Sequence, residues 1–291
     1  MSNHTREARG LAGLVVRMLA IAAFALGAAG AHAGIANTKH NLGADNATNE
    51  NFMGAGGTTE ICVFCHTPHA SNTNVTAPLW NKPVAAGASY TTYTTATSAT
   101  IEGSVDMSGI SLACLSCHDG TQAMDTMINR PGSGGYNAAG AVTGGTWNGA
   151  RQSNGQLINA GEFIANLGTD LSNDHPVGIQ YCGGGISTGG ASTTDASSGT
   201  CRDGDFNAPQ NGLIGGHRAW WVDTSAGAAG TRQKTDMVLY ARAPVLAGDA
   251  TSGQFQPFVE CASCHDPHSE NPTFLRVPNT QSAVCLACHN K

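Results

Sequence analysis

One five-residue spacing recurs four times and limits what this chain can build: C-x-x-C-H, at Cys62–His66, Cys114–His118, Cys261–His265 and Cys285–His289. On a short helical turn, residues i, i+3 and i+4 lie on one face. Both thiols and the imidazole of each copy therefore point the same way. A redox dithiol or a paired C-x-x-C zinc site would not need a histidine at the fifth position of every copy. Two thiols that can each form a thioether to a vinyl group, with an imidazole beneath the metal, are the requirements of c-type haem attachment. The spacing thus predicts four covalently bound haem c groups. Their thioethers would come from Cys62 and Cys65, Cys114 and Cys117, Cys261 and Cys264, and Cys285 and Cys288, and their proximal nitrogens from His66, His118, His265 and His289.

The first and third copies share a longer pattern, C-x-x-C-H-x-P-H, ending at His69 and His268. The chain therefore repeats one unit: an extended motif, a spacer, then a plain motif. His69 lies on the same side of the porphyrin as His66, so as a ligand it would serve a neighbouring haem.

The N-terminus reads as an export leader. Arg6, Arg9 and Arg17 are basic, Met18 to Ala29 is apolar but short for a membrane span, and Ala31-His32-Ala33 is a cleavage signal. The predicted mature chain starts at Gly34, and losing three arginines and Glu7 takes the formal net charge from −6 to −8. An acidic surface disfavours nucleic acid as a partner. No later apolar run is long enough to span a bilayer. The expected location is extracellular or on the cell surface, with the periplasm as the alternative.

Charged residues make up only 12% and aromatics 6% of the chain, leaving little for an ordinary core. Porphyrins would supply the missing apolar surface. The predicted fold class is mostly irregular coil with short helices at the haem motifs and a few short strands. The predicted organisation is a signal peptide at 1–33, a first haem-pair region at 34–130, a Gly/Ser/Thr-rich insert at 131–257 and a second haem-pair region at 258–291. Within it, Ser108 or Ser111 is expected to cap a helix carrying Cys114, and Asn279 or Thr280 the last helix. Tyr90 to Thr100 reads as extended, Pro131 to Gly149 as loop, and Gly161 to Leu171 as helical. Trp220 to Asp223 and Met237 to Tyr240 read as strands. Cys182 and Cys201 are the two cysteines outside the motifs, and an oxidising compartment favours a disulfide between them. Because they stand outside every motif, the haem sites are expected to be indifferent to it.

The sixth position of each iron separates electron carriers from enzymes. Of the 11 histidines, His4 and His32 fall in the leader and four are proximal. Five remain for four distal positions: His40, His69, His175 and His268 are the expected distal ligands, and His217 the spare. With every iron saturated by two imidazoles, electrons pass and substrates do not bind. The reading is an electron-transfer protein and not an enzyme. A reductase with one open iron and a surface protein stapled by haems are the competing classes.

Lys39-His40-Asn41-Leu42, C-V-F-C-H-T-P-H, Pro78-Leu79-Trp80-Asn81, C-L-S-C-H-D-G-T, Asp174-His175-Pro176-Val177-Gly178, C-A-S-C-H-D-P-H and C-L-A-C-H-N-K together resemble the doubled C-x-x-C-H multihaem cytochromes. Within these, the ligand order is similar to that of the OmcE-type extracellular cytochromes. The resemblance implies bis-histidine haems, little regular structure and self-association into a filament with a continuous haem stack, and redox partners would be proteins of the periplasm or outer membrane. A soluble periplasmic shuttle is the alternative. Related filaments exchange a distal histidine between subunits, and the polar arm from Gly34 to Glu60 makes His40 the expected exchanged ligand. The alternative is that His40 folds back onto its own first haem pair.

Overall fold

Short elements joined by long irregular segments are what a glycine-rich, aromatic-poor chain builds. The computed structural model describes residues 34–46, 49–94, 98, 101–132, 134–159, 164–186, 200–214, 217–224, 230–242 and 255–290. The expected leader lies outside them. In chain order the elements are β1 (Phe52–Met53), α1 (Ser111–His118), β2 (Met127–Asn129), β3 (Tyr136–Ala141), β4 (Trp147–Asn148), β5 (Gln152–Ser153), β6 (Gln156–Leu157), β7 (Ile179–Gln180), β8 (Gln210–Ile214), β9 (His217–Val222), β10 (Met237–Arg242), β11 (Gln256–Val259), α2 (Cys261–Cys264) and α3 (Ala283–Cys288). The rest is turn, 3-10 segment or irregular chain. The fold class read from the sequence is therefore the one observed: mostly irregular, with short helices at the motifs and short strands.

The largest regular unit is a five-stranded antiparallel sheet in the order β7-β11-β10-β9-β8. Alternation of side chains along a strand explains its inner face. Met237 and Leu239 are buried on β10, and Leu239 pairs with the fully buried Trp220 on β9. Tyr181, Cys182, Ile186 and Val259 complete this cluster, with Cys264, Val284, Ala287 and Cys288 packed against it. Residues 131–257 thus supply an ordinary side-chain core against the last two motifs, which corrects the expectation that porphyrins alone replace one. A second cluster gathers Trp80, Tyr90, Met107, Leu112 and Leu115, and a third gathers Met53, Phe64, Met124 and Met127. Cys65 packs on both.

Three local expectations fail for identifiable reasons. Tyr136–Ala141 is a strand paired with β2, although the glycines of the 131–149 stretch suggested a loop. Residues 164–171 turn instead of forming a helix, and Leu167 N–H donates to His118 O at 2.7 Å. Ser108 and Ser111 do not cap α1: Ser108 Oγ receives Arg242, and Ser111 Oγ, already inside the helix, donates to Glu260. For the last helix, Thr280 makes no cap and Asn279 Oδ1 accepts from Val284 N–H at 3.3 Å. The two expected strands are present as β9 and β10.

β11 runs directly into the third motif, and β7 runs directly into the Cys182–Cys201 disulfide, which the structure contains. Between His175 and β7 stands Gly178 at φ 68°. A Cβ there would meet Asp106 O at 2.5 Å, while the Gly178 N–H donates to Val259 O at 2.8 Å. Glycine is needed for both the conformation and the close approach.

Candidate haem-binding sites

Each motif occupies a turn of the required handedness. The first is a 3-10 turn at Ile61–Phe64, with His66 N–H donating to Cys62 O at 2.8 Å. The third and fourth repeat that bond, His265 to Cys261 O at 3.1 Å and His289 to Cys285 O at 2.9 Å. The second lies within α1. The residues between the cysteines face the other way. Phe64, Leu115, Ser116, Ala262 and Ser263 are buried and fasten their turns to the protein, whereas Leu286 is exposed. Burial pushes the Cys65 and Cys288 thiols up to about 12.

The histidines are prepared as ligands. His66 Nδ1 is 2.8 Å from Pro78 O, His118 Nδ1 2.7 Å from Ala165 O, and His265 Nδ1 2.7 Å from Thr273 O. His175 Nδ1 is 3.1 Å from Pro176 O. A carbonyl only accepts, so each Nδ1 carries the hydrogen and a neutral ring keeps its lone pair on Nε2. His268 differs: its Nδ1 lies 3.3 Å from the Asp266 carboxylate. That contact and burial act in opposite directions on Asp266, and the bond to His268 prevails, holding the carboxyl at about 2. Burial, followed by His118, pushes His40 down to about 4, and burial lowers His118 and His175 as well. All three rings are therefore neutral near pH 7, the form that binds a metal.

The rings also meet in pairs. His40 and His118 have centroids 6.0 Å apart, and His66 and His268 have centroids 6.2 Å apart with planes 13° from parallel. A metal–nitrogen distance of about 2 Å on each side, plus about 1.1 Å from nitrogen to ring centre, would put two imidazoles that share one metal about 6 Å apart. The separation of each pair matches that requirement, so these residues would hold an iron through their free nitrogens. His175 lies within electrostatic range of His289, whose ring packs 4.7 Å from Phe206. His69 is exposed, and among the described residues its ring stacks on no other ring, although its carbonyl holds Asn129 at 2.7 Å. His265 is exposed and near His40 and His118. The His217 side chain lies outside what is described.

His40 sits in its own chain beside His118 and stacks on Phe274 at 4.1 Å, the arrangement of the fold-back alternative, so the arm is packed and not loose. Polarity misled here, because the asparagines of the segment are spent on its own backbone. Asn41 bonds Ala36 O, Asn46 bonds Asn41 O, and Asn49 bonds Lys39 O and Asn41 O, while Lys39 pairs with Glu50 at 2.7 Å.

Sequence reasoning also missed the joint between the halves. Glu260, buried just before Cys261, lies 3.0 Å from Arg242 and accepts from Ser111 Oγ at 2.5 Å. Ser111 Oγ in turn accepts from Cys261 N–H at 3.0 Å. Helix α1 and the third motif are thereby locked together. An isolated glutamate or serine in a sequence gives no signal of such a pairing. Elsewhere, Cys65 and Cys117 pack on one cluster, and Cys264 and Cys288 on another. The first motif thus adjoins the second, the second the third, and the third the fourth.

Residues 256–291 match the family model for the doubled CXXCH motif. The matched stretch contains the third and fourth motifs, so this segment attaches haem c covalently. With the same spacing at Cys62–His66 and Cys114–His118, the chain reads as a multihaem c-type cytochrome for electron transfer. No curated protein sequence matches the chain. Among the described residues, no helix is long and apolar enough to cross a membrane.

Proposed function

We propose that the chain is an exported tetrahaem cytochrome, each iron held by two histidines, that carries electrons and catalyses no reaction of its own. The observation that supports this reading is the two close histidine pairs, His40 with His118 and His66 with His268, in which His66 and His118 have Nδ1 on a backbone carbonyl. His66 and His268 would hold the first iron, His118 and His40 the second, and His289 and His175 the fourth. His265 and His69 remain for the third, by the reciprocity of the repeated unit. Bound haem supplies a one-electron ferric–ferrous couple. The polypeptide fixes ring orientation through the carbonyls of Pro78, Ala165 and Thr273. It excludes water with Phe64, Leu115 and Trp80, and holds the second and third motifs together through Ser111 and Glu260.

Within this reading we infer a filament subunit at the cell surface, on the resemblance of the motif order, with a soluble periplasmic shuttle as the second reading. His40 lies beside His118 of its own chain and His69 is exposed, which supports His69 as the exchanged ligand of such a filament. The test is the mass of the purified protein together with its EPR spectrum. Four haem additions and only low-spin ferric signals are expected. One high-spin iron in four would overturn the bis-histidine assignment. Electron micrographs of the same sample distinguish filaments from single particles.

A further inference from the structure

We propose that Asp266 lowers the reduction potential of the iron that His66 and His268 would hold. The inference rests on the reading of His268 as an axial ligand. Four ligand histidines, His66, His118, His265 and His175, give their Nδ1 hydrogens to backbone carbonyls. His268 alone among the described ring contacts faces a carboxylate, at 3.3 Å. A carbonyl is a dipole, whereas a carboxylate is a full negative charge and draws the Nδ1 hydrogen more strongly. The opposite nitrogen becomes more basic, and a more basic ligand favours the ferric ion over the ferrous one. Reduction adds one electron to the iron and breaks no bond, so the effect is read directly as potential.

The carboxylate is held in place. Asp266 Oδ1 also accepts from His268 N–H at 3.0 Å, and Asp266 N–H donates to Phe274 O at 2.8 Å. The side chain is 14% exposed. Arg276 lies 4.0 Å from Oδ2 and offsets part of the charge, but its own hydrogen bonds go to the carbonyls of Ala262, Ser263 and Lys234. The other copy of the extended motif serves as an internal comparison. Thr67 stands where Asp266 does, and its hydroxyl donates to His69 O at 3.1 Å, away from the ring. Two copies of one unit thus give their distal histidines different partners.

The experiment is a spectroelectrochemical titration of the full, haem-loaded protein and its variants at Asp266 and His268. Asp266→Asn keeps the turn and the hydrogen bond and removes the charge. One of the four potentials should rise, by about tenfold in the reduction equilibrium constant, or about 59 mV for one electron. Asp266→Glu keeps the charge and should stay near the parent. If Asp266→Asn fails to load four haems, Asp266→Ser is read in its place. Four unchanged potentials, or four that move together, overturn the proposal. His268→Ala separates this from the ligation reading. It should leave one iron high-spin, and four low-spin irons in that variant would remove both claims. A high-spin iron there, with unmoved potentials in Asp266→Asn, would remove the role of Asp266 alone.

Discussion

Replacing Glu260 by glutamine should change how stability depends on pH. Glu260 is 1% exposed and its carboxyl faces Arg242, Ser111 and, more remotely, Asp106. Burial outweighs the attraction of Arg242 and the bond from Ser111, and pushes the carboxyl up from 4.5 to about 7. A carboxyl that holds its proton more tightly in the folded than in the unfolded chain stabilises the fold fully below pH 4.5. That contribution disappears as pH rises through 7. The interval corresponds to about 3 kcal/mol, at about 1.4 kcal/mol per pH unit. Glutamine keeps the oxygen that accepts from Ser111 but cannot titrate. Urea unfolding followed at the Soret band should give a parent-minus-variant difference that falls by roughly 2–3 kcal/mol between pH 5 and pH 7.5. A difference that stays constant within about 1 kcal/mol, or grows with pH, would refute the assignment of Glu260 as a buried titrating group.

Replacing Cys182 and Cys201 by serine should cost about 3 kcal/mol of stability, measured by urea titration. Contrary to the indifference expected from sequence, it should also disturb the fourth haem, seen as a shift in one of four EPR signals, because Tyr181 and Asn207 hold the Cys288 carbonyl at 3.2 and 2.9 Å. His40→Ala should convert one iron in four to high spin in a monomeric sample, because His40 faces His118 of its own chain. Asn81→Ala should destabilise by about 2–4 kcal/mol in urea titration, because its fully buried amide joins Val63 O, Asn129 O and Asn129 N–H.

The motifs were legible because their chemistry is local: Cys, Cys and His at i, i+3 and i+4 need only one turn. The strands at Trp220 and Met237 were legible for the same reason, since alternation is a property of neighbours. What escaped depends on distant residues. Glu260 meets Ser111 across 149 positions, and His118 finds its acceptor at Ala165, 47 positions away. Lys82 is fully buried, with Nζ at 2.8 Å from both Met124 O and Thr126 O. Read alone it is a surface lysine. The arm carrying His40 was misjudged because asparagine is polar whether it bonds water or its own backbone.

The joint between Ser111, Glu260 and Cys261 constrains how the protein is made. In the folded chain it clasps the helix of the second motif to the turn of the third, between residues 149 and 150 positions apart in sequence. Ser111 and Glu260 are both buried there. The two motifs therefore mature as one unit, because neither turn has its full support until the other end of the chain has been made.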